Sequence, residues 1–354
     1  MRQLLQTIAF GLLLALTAQN AHAQKAKSDV TLRIASYGGA FDQAQARYVG
    51  VIFTLRTGIK LEWISGAPVD HIAKLIASKG RSVPFDIVYA DDMIQATAIN
   101  AGVVAKLDPD IVTNLKHLYD EAKQKDGYGP GISFYTVGIA YNADIFKKND
   151  IPEPTSWADL WHPKLAGKIA LPDISQSSAR DLIVATARLS GGSESDTKDA
   201  FERLGKLQPL YFYRSSADLE SKVVAGDAWI TIWNNSRSWN LIDQGFPLKF
   251  VYPKEGGLWH LSTIDMVAGT PHPKEAQMYI NQVLDPMAQL AQANEVPYGP
   301  SNKVLAPVLA AYPDLAKKFP SGPEDLKKLR SVDPFVMNRE YPKWVDTWNR
   351  TVRK

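Results

Sequence analysis

Two adjacent carboxylates, Asp91 and Asp92, stand where a β-forming run, Phe85 to Tyr89, should end and a helix begin. A carboxylate at such a junction can accept the free backbone hydrogens of the following helix, or it can present negative charge to a solute. At least one of the pair is expected to cap. Aromatic side chains, Tyr37, Trp233, Trp259 and Tyr298, fall near other predicted strand ends. A binding cleft needs flat apolar walls with a few fixed polar groups, although such rings serve equally well in a core. The hydroxyls of Ser36, Ser175, Ser177 and Ser262 add uncharged donors and acceptors. Arg237 could pair a solute carboxylate, or else form a surface or hinge salt bridge of little energetic worth.

Covalent and metal chemistry have less to work with. The 354 residues include no cysteine, so neither a thiol nucleophile nor a thiolate metal site is available. Neither a glycine-rich phosphate loop ending in Lys-Ser/Thr nor a His-Glu-x-x-His helix occurs, and no Gly-x-Ser-x-Gly elbow is present. The six histidines are isolated in sequence. A Ser-His-Asp group needs only to meet in space, so an exported hydrolase stands as one alternative. Ferric-ion binding through the phenols of Tyr211 and Tyr213 is another, although their alternation with Leu210 and Phe212 favours one face of a strand. The reading preferred is a binding protein: no enzyme, no cofactor and no resident metal.

The elements that must position these groups alternate in type. A strand from Thr31 to Ala35 is broken by Gly38-Gly39 before a helix running from about Phe41 to Thr57. A strand at Ile59 to Ile64, a helix at Val69 to Lys79 and a strand at Phe85 to Tyr89 follow. Further strands are predicted at Val137 to Tyr141, Gly167 to Leu171, Leu210 to Tyr213, Ala228 to Trp233 and Leu248 to Tyr252. Such alternation predicts an α/β fold with a parallel sheet covered by helices. Solutes bind beyond the carboxyl ends of strands in such sheets, which would bring the loops at Tyr37 and Asp91 to one crevice.

Arg2, an apolar run from Ile8 to Leu16 and small residues ending in Ala21-His22-Ala23 come in the order of a secretory signal peptide, residues 1–23, with cleavage expected after Ala23. The run is far shorter than the roughly 20 residues that cross a bilayer. The net charge of +3, with basic and acidic residues interleaved, gives no reason to expect nucleic acid. The expected location is the periplasm, and the expected state a soluble monomer.

Several segments, in order, resemble family 1 extracellular solute-binding proteins, in particular the spermidine/putrescine-binding branch of ABC importers. They are Ser36-Tyr37-Gly38-Gly39-Ala40-Phe41, Thr155-Ser156-Trp157-Ala158-Asp159-Leu160-Trp161, Trp233-Asn234, Pro253-Lys254-Glu255-Gly256-Gly257 and Tyr298-Gly299-Pro300-Ser301-Asn302. The resemblance implies a two-lobed type II periplasmic-binding fold, with residues 28–135 and 262–305 in lobe one and 136–261 and 306–354 in lobe two. The chain would cross between lobes near Phe134 to Val137 and near Gly257 to Ser262. The resemblance also implies a membrane permease and a cytoplasmic ATPase as partners, and hinge closure on a small amine-bearing solute. By position in the branch, Tyr37, Asp91, Trp233 and Tyr298 look like ligand contacts, with Ser36, Gly38, Asp92 and Asn234 beside them. Asp173 lies near the branch's acidic pair, but Ser175 and Ser177 follow where more acid would be. Ser262 and Thr263 replace an aspartate, and Asp265 is out of register. Fewer carboxylates suit a long polyamine less than a smaller or zwitterionic, opine-like amine, since buried ammonium groups need charged or multiple acceptors.

Overall fold

The computed structural model describes residues 28–124, 126–320 and 323–353; the expected signal peptide lies outside the described residues. β1 (Thr31–Ser36) enters α1 (Gly39–Gln45) through Gly38 and Gly39, both at positive φ, where a side chain would be strained. A π-helical turn, Ala46–Gly50, joins α1 to α2 (Val51–Thr57). β2 (Lys60–Ser65), α3 (Pro68–Ala77), β3 (Ile87–Asp91), α4 (Asp92–Ala101) and the short β4 (Val104–Ala105) follow. β5 (Gly131–Asn142) is the longest strand described and leads to α5 (Ala143–Lys148). Then come β6 (Ile169–Pro172), α6 (Ser177–Leu189), α7 (Lys198–Leu204), β7 (Pro209–Tyr213) and α8 (Ser216–Val224). β8 (Ile230–Asn234), α9 (Asn235–Asp243), β9 (Leu248–Val251) and β10 (Leu258–Val267) complete the main sheet. The remainder is α10 (Pro273–Val283), α11 (Pro286–Glu295), β11 (Gly299–Pro300), α12 (Ala306–Ala310), α13 (Pro313–Ala316), α14 (Pro323–Lys328) and α15 (Pro334–Thr351).

The main strand order is β2-β1-β3-β10-β5-β8-β6-β7, with β4 beside β10 and both β9 and β11 beside β5. The expectation of a parallel sheet holds at the two ends, where β1 pairs with β2 and β3, and β6 with β7 and β8. It fails in the middle. β10 runs antiparallel to β3 and β5, and β5 antiparallel to β8 and β9. The reason is that β5 and β10 serve both ends of the sheet in opposite chain directions. β5 exchanges β10 for β8 as its partner at Val137, and β10 passes from β5 to β3 at Ser262.

A core grows at each end. One packs Leu32, Ile34, Ile87 and Tyr89 against Tyr279 and Ile280 of α10. The other packs Tyr141, Trp157 and Ile230 against Trp344 and Trp348 of α15. Each fully buried aliphatic side chain contributes roughly 1.5–3 kcal/mol, so the two clusters hold the strand ends rigidly enough to present a site. Ser156 and Asp159 form a capping box around the turn Trp157–Trp161, and Glu255 accepts from the Ser156 hydroxyl at 2.6 Å. Two of the segments carrying the sequence resemblance therefore hold each other in place.

Candidate functional site

Tyr37 after β1, Asp91 at the end of β3, Ser262 on β10 and Asn234 at the end of β8 converge on one cavity of about 480 Å³. That volume suits a small solute. The starts of α1, α6 and α9 open onto the same space through Gly39, Ser177 and Ser236. The unstrained positive-φ turn at Gly38 lets the backbone itself form part of the wall.

Asp91 is the electrostatic centre of this cavity. Its carboxylate caps α4, accepting from the Ile94 backbone at 2.9 Å, as one of the two aspartates was expected to do. Burial, and next the neighbouring Asp92, push its pKa up to about 6, despite that hydrogen bond. No lysine, arginine or histidine forms an ion pair with it among the described residues. Around it stands a frame of phenols. The Tyr37 hydroxyl donates to the Ala90 carbonyl and lies 3.0 Å from the Ser262 hydroxyl. The single Tyr37 proton being spent on Ala90, Ser262 is the donor in that second bond. The ring of Tyr37 meets Phe41 edge-on at 4.9 Å, and Tyr135 and Tyr298 face each other at 5.9 Å. Burial raises the phenol pKa values of Tyr37, Tyr135 and Tyr298 further above the ordinary range, so all three are neutral hydrogen-bonding groups.

Of the residues singled out from sequence, Tyr37, Gly38, Asp91, Ser177, Asn234, Ser262 and Tyr298 share this cavity, together with Arg237. The others do not line it. Ser36, Trp233 and Thr263 are the strand neighbours of Tyr37, Asn234 and Ser262, and successive side chains on a strand point to opposite faces. Ser36 is fully buried and its hydroxyl donates to Asp42. Thr263 is buried and donates to the Ala90 carbonyl at 3.1 Å. Trp233, read as a ligand wall, packs instead with Tyr213, Leu219 and Leu241. Replacing Trp233 by Phe should cost on the order of 1–2 kcal/mol of stability in urea titration, as a core truncation does, while solute affinity in calorimetry stays the same. A large affinity loss at unchanged stability would return it to the cleft.

Asp92 turns away with the first residue of α4, meeting His260 Nδ1 at 3.2 Å and the Leu261 backbone. Asp173 is held by Arg353 at 3.0 Å and by the Ser175 hydroxyl at 2.8 Å, and Ser175 is thereby committed to it. The Tyr213 phenol donates to the Ile232 carbonyl at 2.7 Å and the Tyr211 phenol to that of Asp218, so neither is turned to the cavity as a metal ligand. Both ring nitrogens of His260 are on carboxylates, which leaves none to activate a serine. Trp259 packs edge-on against Phe134 at 5.6 Å, and Asp265 accepts from Gln95 at 2.8 Å.

The cavity also uses residues that the sequence reading passed over: Tyr135, Ser236, Asn240 and Glu295. Ser236, Arg237 and Asn240 have the spacing of one helix face, a signal that the structure makes readable by placing Asn234 as the cap of α9. Tyr135 lies inside the predicted crossing, but only pairing with β10 shows which way it points.

This fold, two α/β halves joined by long antiparallel strands with a polar cavity at their junction, is that of the two-lobed periplasmic solute-binding proteins. A crystal structure of an ABC transporter from Clostridium perfringens superposes with a TM-score of 0.77, at 23% identity, covering 91% of this chain and 99% of that one. Residues 50–318 match the family model described as bacterial extracellular solute-binding protein, and the chain belongs to that family. It is 28% identical over 282 residues to the spermidine/putrescine-binding periplasmic protein of Salmonella typhimurium, covering 74% of this chain and 78% of the relative. It is 26% identical over 341 residues to the gamma-aminobutyric acid-binding protein of Pseudomonas aeruginosa, covering 92% and 89%. Among the described residues no helix is long and apolar enough to cross a membrane.

Proposed function

We propose that this chain captures a small amine-bearing solute in the periplasm and delivers it to the permease and ATPase of an ABC importer, acting as a monomer without catalysis. The signal peptide ending at Ala23 would export it. The observation that carries the reading is Asp91: a desolvated carboxylate, unpaired among the described residues, facing a cavity walled by phenol rings. A carboxylate in that setting gains most from an ammonium, which offers a charge-assisted hydrogen bond while the tyrosine faces receive it by cation–π attraction. The relatives that bind polyamines and gamma-aminobutyric acid, both amines, agree with this. Contacts divided between the two ends of the sheet would be complete only when the lobes close, so binding favours closure through its differential affinity for the closed state.

Acid titration tests the proposal. In the free protein Asp91 is ionised above about pH 6, and an amine binds the ionised form. Affinity for an amine should therefore be flat between pH 7 and 8 and fall as the pH drops through 6, by up to about tenfold per unit. A thermal-shift screen identifies binders, which raise the melting temperature by mass action, and calorimetry across pH follows each one. Binders without an amine, or an affinity that rises on acidification, would refute the assignment.

A further inference from the structure

Among the described residues, three charged side chains line the cavity: Asp91, Arg237 and Glu295. They are not equivalent. The carboxylate of Glu295 accepts from Arg47 Nη1 at 2.5 Å and from the Tyr48 hydroxyl at 2.6 Å, so its charge is already spent. Arg237, like Asp91, forms no ion pair among the described residues. The two stand on different strand ends, Asp91 closing β3 and Arg237 in the first turn of α9 after β8. In the order β3-β10-β5-β8, three strand spacings lie between them across the sheet, roughly 14 Å at about 4.8 Å each, with β8 joining β5 further along, Asn234 opposite Val137 where Ser262 is opposite Ser133. Side chains reach into that gap from both sides and leave room for a chain of a few carbons. The phenol of Tyr298 lines the same cavity as Ser236 and Arg237 and feels the charge of Arg237.

The backbone reinforces the polarity. α9 and α6 both begin at the cavity, with Ser236 and Ser177 in their first turns. Among the described residues no side chain caps α6. Helix starts carry partial positive charge, which adds to that of the guanidinium. The cleft is thus a dipole, with a desolvated carboxylate at one end and an uncompensated cation at the other.

We propose that the solute is a zwitterion, an amino acid or amino-acid-like compound, whose amine meets Asp91 and whose carboxylate is received by Arg237 at the start of α9. The inference rests on the amine reading above and adds the second charge. A diamine would set its far ammonium against Arg237 and two helix starts, a repulsion that discriminates against it. The polyamine-binding relatives would then share the fold and the amine end with this chain but not the ligand class.

The test uses matched straight chains of four, five and six carbons: the ω-amino acids, the diamines and the dicarboxylates, titrated by calorimetry into wild type, Arg237→Gln and Arg237→Glu. Arg237 is exposed, and unchanged melting temperatures of the free variants establish that both fold. An ω-amino acid should bind wild type at least about tenfold more tightly than the diamine of equal length. Arg237→Gln should abolish that preference, and Arg237→Glu should reverse it. A diamine that binds wild type as well as its amino acid, or a preference that survives Arg237→Gln, overturns the carboxylate assignment and leaves the amine reading standing. Dicarboxylates binding best, or no amine binding at all, overturns both.

Discussion

Replacing His260 by Ala should destabilise the protein by about 3–5 kcal/mol at neutral pH, the cost of breaking a buried ion pair by removing one partner. The imidazole is fully buried on β10. Its Nε2 lies 2.8 Å from Asp181 of α6 and its Nδ1 3.2 Å from Asp92 of α4, while Tyr135 stacks on the ring at 5.2 Å. Burial by itself would lower the histidine pKa, but Asp181 and Asp92 together raise it well above the ordinary value. It is therefore a cation holding one acid from α4 and one from α6. Without it, Asp92 and Asp181 would face each other with no counter-charge. The sign of the pH dependence follows from the raised pKa. The stabilisation is complete below the ordinary histidine value of about 6.5 and is lost as pH rises through the native pKa, so the gap between wild type and variant narrows in alkali. Urea titrations at pH 6 and pH 10 measure this. Equal stability of the two proteins at pH 6 would show that the bridge carries nothing.

Asp91→Asn should act in opposite directions on binding and stability. Loss of a charged hydrogen bond to the amine weakens binding by about 1.5–3 kcal/mol, roughly 10- to 150-fold in Kd. The fold, by contrast, should gain. A carboxyl group whose pKa is pushed up to about 6 on folding resists ionisation there, so at neutral pH its charge destabilises the native state. That penalty disappears as pH falls below the unfolded value. Asparagine keeps the cap on Ile94 and removes the charge, a gain on the order of 1–2 kcal/mol once solvent screening is allowed for. Calorimetry with an identified solute and a denaturation curve on the same sample decide it. A variant that binds as tightly as wild type would remove Asp91 from the site, and one that is less stable would mean that the charge is compensated in the fold.

Much of this protein was legible in the order of its residues. Strand, glycine turn and helix alternate with periods that local sterics impose, so β1, β3 and β8 were readable from Thr31, Phe85 and Ala228 onward. The aspartate pair at a strand-to-helix junction declared that one of the two would cap, and the structure shows it to be Asp91. The segments from Ser36 to Phe41 and from Thr155 to Trp161 carried the family resemblance. The antiparallel middle of the sheet was not readable, because pairing between β5 and β10 joins residues more than a hundred positions apart and no local preference encodes it. The same holds for the cleft. Ser36 and Tyr37, Trp233 and Asn234, and Ser262 and Thr263 are adjacent in sequence, yet one member of each pair lines the cavity and the other is buried behind it. Which member faces inward depends on strand register and on the core packed against the opposite face, a two-residue alternation whose phase the chain cannot set alone. Sequence determined which chemical groups are available, and tertiary packing decided which carboxylate, phenols and guanidinium face the same solute.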